Sequence, residues 1–376
     1  MFSFPYKEKC DKMNAEITGR TGPPPCPEYA EAGEGDPAPG TLWDCGPDRP
    51  YGWSRSGHER TSMDLKFEKF RAEHVETLAG YYGKRHDRTC DSTIMDNFLW
   101  GGYYHIRFCE RDGKAVLWIM NIDGKDYAAL PVCSLEDLPH YFKELEQYFN
   151  EELQLPLEIF LADEEAVEYL DLPGDRYAVE ELPDARDYIY SAESLKVLSG
   201  KKLGKKKNHI NYLKREYAGR YEYRTLGCSD SLDVWRFLDK WRAQKGQEVE
   251  GHLDYEVEGI HEILRNCSAF YVHMGGIYID GQLEAFAIGS FNETEKMAII
   301  HIEKANPEIR GLYQFINQQF LIHEFPGAEI VNREDDMGLP ALRQAKLSYE
   351  PSEFARKFRI RQLWPEENRR KEENRL

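Results

Sequence analysis

Apolar residues along this chain recur with two periods, and the switches between them outline the fold. From about residue 100 to 132 the period is two. Tyr103–Phe108 and Ala115–Met120 flank Asp112-Gly113, and Asp123-Gly124 precedes Tyr127–Val132. Asp-Gly between apolar runs predicts tight hairpins, because both turn residues must accept positive φ. The period then becomes helical at Leu138, Tyr141, Phe142, Leu145, Tyr148 and Phe149, behind Ser134 as a cap. A strand follows at Leu157–Leu161. The second half repeats the order: helices near 231–243 and 255–266, strands Ala269–Ile279 and Leu283–Phe291 around Asp280-Gly281, strand Met297–Glu303, helix 312–325 and strand Ala328–Asn332. This predicts an α+β fold of two similar units. Helical periodicity is also expected to open at Met63-Asp64-Leu65-Lys66-Phe67.

Residues 1–62 break both periods. They hold nine of the 19 prolines and eight of the 29 glycines, so they bury too little apolar surface to offset ordering entropy. They are expected to be a disordered extension. The 376 residues are 41% hydrophobic and 13% aromatic, enough for real cores. A membrane-spanning helix needs roughly 20 consecutive apolar residues, and no such run occurs, so the expected location is cytoplasmic. The eight cysteines include no Cys-x-x-Cys pair and the eleven histidines no His-x-x-x-His, so no metal is expected, and the thiols are expected to be reduced and packed. Ser348 and Ser199 lack the setting of a hydrolase nucleophile.

Charge changes the picture in two places. The net charge is −18, from 49 basic and 67 acidic residues, which argues against nucleic-acid binding by the whole surface. Yet Lys201–Arg215 holds seven cations among 15 positions and no acid. Lys201 and Lys205 are four apart, as are Lys202 and Lys206, so a helix gathers them, with Lys207 beside them. Such a face suits phosphates, and it equally suits a solvated helix whose acids lie elsewhere. The second place is Asn332-Arg333-Glu334-Asp335-Asp336-Met337-Gly338, which follows the last apolar strand. Close carboxylates raise one another's pKa, as a base near neutrality requires; Asp335 or Asp336 as a helix cap is the structural alternative. Lys346 and Tyr349 could meet an acyl carbonyl or a phosphate, or simply be solvated and packed, respectively. Glu303 and Lys304 end a strand as a candidate base and oxyanion stabiliser, or as a surface ion pair.

Three blocks carry a family resemblance. Asn332, Glu334, Asp336 and Gly338, then Leu342, Arg343, Lys346, Ser348, Tyr349 and Pro351, form the first. Asp187-Tyr188-Ile189-Tyr190 with Leu198–Lys202 and Lys206–Asn211 form the second, and His301–Asn306 with Gly311–Asn317 the third. In this order, across about 63–362, the chain resembles a bacterial family related to the C-terminal synthase domain of phosphatidylglycerol lysyltransferases. The resemblance implies two tandem GNAT-like acyltransferase units with a cleft between them. The layout is 1–62 extension, 63–200 first unit, 201–217 basic linking helix and 218–376 second unit. It also implies aminoacyl transfer from a charged tRNA, gripped by Lys201, Lys202, Lys205, Lys206 and Lys207, to an amine or hydroxyl of a small-molecule, peptide or lipid acceptor. Glu303, Lys304, Asp336 and Lys346 are the catalytic candidates. Asn332, Glu334, Tyr349, Gly311 and Tyr313 are the substrate-binding ones. No tightly bound cofactor is expected, only a co-substrate, aminoacyl-tRNA or acyl-CoA. GNAT enzymes hold the coenzyme A pyrophosphate on Arg/Gln-x-x-Gly-x-Gly/Ala. Here Glu308 and Tyr313 flank Gly311 in that pattern, which disfavours acyl-CoA. An acyl-CoA-dependent N-acyltransferase and a non-catalytic binding protein are the rival readings.

Overall fold

In chain order the strands are β1 (Glu68–Lys69), β2 (Arg107–Arg111), β3 (Ala115–Ile122), β4 (Lys125–Ala128), β5 (Glu158–Asp163) and β6 (Tyr177–Glu181). There follow β7 (Asp187–Ser191), β8 (Tyr221–Leu226), β9 (His273–Ile279), β10 (Gln282–Asn292), β11 (Met297–Ala305), β12 (Ile330–Asn332), β13 (Glu353–Ala355) and β14 (Lys357–Gln362). They form two seven-stranded sheets, ordered β1-β2-β3-β4-β5-β14-β6 and β13-β7-β12-β11-β10-β9-β8. This is a computed structural model, describing residues 65–244, 252–270 and 272–364. The expected extension at 1–62 lies outside the described residues.

The three Asp-Gly hairpins form as the sequence predicts. Asp112, Gly113, Asp123, Gly124, Asp280 and Gly281 all have φ between 51° and 84°. Each sheet then has one parallel pair, reached through a helix: β4 with β5 after Leu138–Gln147, and β11 with β12 after Leu312–Glu324. The matching order bears out two similar α+β units. The stretch after Met63 differs. Glu68–Lys69 is an edge strand pairing β2, and an α-helix begins only at Val75; Leu65 and Phe70, five residues apart, are buried in different apolar clusters.

Sheet membership does not follow a division at residue 200. β7 precedes the basic helix yet lies in the second sheet between β12 and β13, while β14, near the C-terminal end, lies in the first between β5 and β6. A buried charge joins the exchanged strands. Lys357 Nζ of β14 is 3.0 Å from Asp187 Oδ1 of β7 and 2.9 Å from Asp91. One apolar core is also shared, with Phe70, Leu99 and Trp118 packed in the same cluster as Trp241, Ile260 and Phe286. Burying each such side chain contributes roughly 1.5–3 kcal/mol, so the halves stabilise one another. Cys228 and Cys267, expected as free thiols, have Cα atoms 5.8 Å apart and are joined as a disulfide, while Cys90, Cys109 and Cys133 are free and buried.

Candidate functional site

Strand β12 runs into a loop that folds on its own side chains. Asn332 Oδ1 accepts from Glu334 N at 2.6 Å, Asp335 Oδ1 from Met337 N at 2.9 Å, and Asp336 Oδ1 from Gly338 N at 2.9 Å. Successive Asn and Asp acceptors of this kind compete with regular structure and end the strand. Gly338 and, unusually, Glu334 and Met337 take positive φ, at 66°, 58° and 55°. The helix Pro340–Leu347 follows.

Lys346 on that helix is 3% exposed, and its ammonium donates to the carbonyls of Arg333, Glu334 and Asp335. Burial pulls its pKa down to about 8. The lysine is therefore a clamp on the loop backbone, with its donors already committed. Asp336 is similarly engaged: Oδ2 accepts from Arg343 Nε at 2.7 Å and from the Tyr188 hydroxyl, and Oδ1 from Arg343 Nη2 at 2.8 Å. Burial works against its charge, but Arg343 and Tyr188 outweigh that and hold the carboxyl below its ordinary range. Asp335, buried without such a partner, is pushed up to about 7.

Glu303 and Lys304 point to opposite faces of β11, as strand alternation requires. Lys304 Nζ is buried, 2.8 Å from both carboxylate oxygens of Glu256 and 4.6 Å from the Trp241 ring centre. Burial draws its pKa down, and the charges of Glu334 and Glu303 work against that. Glu303 accepts from Asn317 Nδ2 at 2.9 Å and lies 3.5 Å from Arg333 Nη2. The two candidates thus share no site. Glu303 instead belongs with Arg333, whose guanidinium lies over the Tyr349 ring at 4.8 Å, and with Tyr349, where burial pushes the hydroxyl up to about 12.

The basic segment is one helix, Gly200–Glu216. Leu203, Ile210 and Leu213 dock it on the second core, while Lys201, Lys202, Lys205 and Lys207 are exposed. Lys206 bends back, donating to Ser348 Oγ at 2.6 Å and lying 4.2 Å from the Tyr349 ring centre. The helix therefore abuts the Glu303–Arg333–Tyr349 group. Gly311 is where it packs on the helix Leu312–Glu324. With φ at 88°, an added Cβ there would stand 2.4 Å from the His209 carbonyl oxygen. Tyr313 packs half-buried against the same core.

Asn332 donates to Asp187 and to the Arg88 carbonyl, tying the loop to β7 rather than facing a cleft. Glu334 Oε1 lies 3.0 Å from His301 Nδ1, and His301 Nε2 lies 2.8 Å from Ser290 Oγ. His301 opens the segment His301–Asn306, but its aim depends on a register shift in β10–β11. Ile288 pairs Ile302 and Gly289 pairs Ile300, leaving His301 between them without an opposite partner. Such bulges re-aim side chains. Arg333 and Ser290 were missed as well. Arg333's position beside the acidic run was the available signal; for Ser290 there was none.

One group of described residues could hold a metal ion. Ligand atoms of Cys90, Asp96 and Glu334 lie within 4.8 Å of one another. Lys357 Nζ, 3.0 Å from Cys90 Sγ, already supplies a cation there, so the donor set does not favour a metal.

Two sheets, each a meander crossing through a helix to a parallel strand, define a tandem GNAT-like α+β fold. Residues 84–361 match the family described as phosphatidylglycerol lysyltransferase, C-terminal, and the chain belongs to that family. It is similar to a conserved protein of unknown function from Bacteroides thetaiotaomicron, 24% identical with a TM-score of 0.73, covering 80% of this chain and 100% of that one. It is also similar to L-PGS from Bacillus licheniformis, 15% identical with a TM-score of 0.56, covering 76% and 91%. An uncharacterized protein of Mycoplasmoides gallisepticum is 24% identical over 229 residues, 59% of this chain and 71% of that one. Among the described residues, no helix is long and apolar enough to cross a membrane.

Proposed function

We propose that this member of the family is an aminoacyltransferase that takes its acyl group from a charged tRNA and passes it to an amine or hydroxyl acceptor. The observation that carries the reading is the helix Gly200–Glu216. Lys201, Lys205 and Lys207 are exposed on it, and among the described residues they enter no ion pair, while Lys206 reaches the Glu303–Arg333–Tyr349 group. Phosphates held along the helix would bring an acceptor end toward that group. There the attacking nucleophile loses a proton, its bond to the carbonyl carbon forms, and the ester bond to the tRNA hydroxyl breaks. Glu303 is the open candidate for the base, and Arg333 for stabilising the oxyanion.

Acyl-CoA is the weaker alternative. The His209 carbonyl packs onto Gly311, the place where a GNAT pyrophosphate loop would need open backbone N–H groups. Binding of deacylated tRNA followed by filter retention, and release of labelled amino acid from a mixed aminoacyl-tRNA pool, test the reading. Salt-sensitive binding with transfer to an added amine is the expected result. Transfer from acetyl-CoA with no tRNA binding would replace it.

A further inference from the structure

We infer that Ser290, His301 and Glu334 form a nucleophile–base–orienter set opening on an apolar cleft, giving this protein an esterase or transacylase activity toward aliphatic acyl esters. The inference does not rest on tRNA as donor, because it involves neither the basic helix nor the Glu303–Arg333–Tyr349 group.

The geometry is a connected relay. Ser290 Oγ is 2.8 Å from His301 Nε2, and His301 Nδ1 is 3.0 Å from Glu334 Oε1. A carboxylate only accepts, so Nδ1 carries the ring proton and Nε2 is left to accept from the serine hydroxyl. That is the tautomer a general base requires. All three residues are buried, at 7%, 0% and 3% exposure.

Two departures from regular backbone build the relay. The bulge in β11 leaves His301 without an opposite residue on β10 and turns it to Ser290. Glu334 holds φ at 58°, a left-handed conformation that costs a glutamate energy, and this puts its carboxylate behind the imidazole.

The relay also has an outlet. Ser290 and Thr93 line a cleft of about 310 Å³ whose other walls include Val75, Ile94, Phe270 and Val272. That volume is at the small end of ligand sites, and the walls suit a medium-length aliphatic chain. The Thr93 hydroxyl lies beside the nucleophile, 3.2 Å from Ser290 Oγ.

The step balances without a further reagent. Ser290 Oγ bonds to the ester carbonyl carbon, its proton passes to His301 Nε2, and the carbon–oxygen bond to the alcohol breaks as that proton reaches the leaving oxygen. Water or a second nucleophile then reverses the sequence, releasing the acyl group and restoring the hydroxyl.

The experiment uses the full chain with an alkyl fluorophosphonate, followed by peptide mapping, and with 4-nitrophenyl octanoate and acetate. Adduct on Ser290, faster turnover of octanoate than acetate, and at least about a hundredfold loss in Ser290→Ala are expected. Glu334→Gln, a positioning change, should lower kcat with KM for octanoate unchanged. Labelling of unmodified protein needs no variant to fold, so absence of adduct at Ser290 overturns the inference. So does undiminished turnover in a Ser290→Ala protein that melts like the parent, or a preference for acetate. None of these results bears on tRNA-dependent transfer.

Discussion

Arg343 meets Asp336 through two nitrogens, Nε to Oδ2 at 2.7 Å and Nη2 to Oδ1 at 2.8 Å, so the acidic loop after β12 is internally neutralised at that position. An arginine held this way leaves the carboxylate few lone pairs for a substrate ammonium. Asp336→Asn retains the acceptor for Gly338 N but loses the paired charge. It should lower the melting temperature nearly as much as Asp336→Ala, and Arg343→Ala should match both. Turnover measured beside melting gives the check: lost activity in an Asp336→Asn protein of unchanged stability would restore the residue to the chemistry.

Lys346→Met should be among the most damaging single changes. It keeps the length of the side chain but leaves three loop carbonyls without their donor. Leaving a buried acceptor without its donor costs about 1–3 kcal/mol, and urea denaturation at neutral pH measures the loss.

Lys205→Glu with Lys207→Glu tests the phosphate face more cleanly than any change at Lys206, whose side chain packs on Tyr349 and Ser348. Both replaced residues are exposed, so melting should stay put. The slope of log binding constant against log salt should be shallower by about 2. Equal slopes would remove the helix from tRNA recognition.

Asp335 gives a pH dependence with a definite sign. Its carboxyl is raised to about 7 in the fold by burial, against about 3.9 when unfolded. Between those values the folded state binds the extra proton, so stability falls as pH rises from about 4 to 7. Asp335→Asn keeps an acceptor for Met337 N and should flatten that part of the curve, read as melting temperature against pH. A parent protein whose melting temperature climbs steadily over the window would show that other groups dominate.

Gly311→Ala should destabilise by at least about 1 kcal/mol, since φ is positive there and the new methyl would meet the His209 carbonyl at 2.4 Å. Denaturation midpoints of parent and variant decide it.

Local patterns made much of this architecture legible in advance. Asp-Gly pairs name their own turn type, so three hairpins and the two-unit order followed from the chain alone. The basic helix was legible for the same reason, as charge and apolar spacing both lie within one element. The site was less so. Lys304 was expected beside Glu303 as oxyanion stabiliser to its base, or as its surface ion-pair partner, but adjacent strand residues face apart, and its partner Glu256 lies 48 residues upstream. Asp336 was paired only once Arg343 came round on the next helix. Ser290 and His301 meet through a one-residue register shift, and nothing in the composition of either strand announces a bulge. The exchange of β7 and β14 was hidden because it depends on which sheet edge is open, not on the strands' own residues.

That exchange has a consequence for synthesis on the ribosome. The first sheet lacks β14, the strand between β5 and β6, until residue 362 has left the exit tunnel. The N-terminal half can collapse on its helices while translation continues, but its β5 and β6 edges stay unpaired for nearly 200 further residues, open to other chains. Closure of the first sheet thus waits on β14, which brings Lys357 to Asp187 of the second.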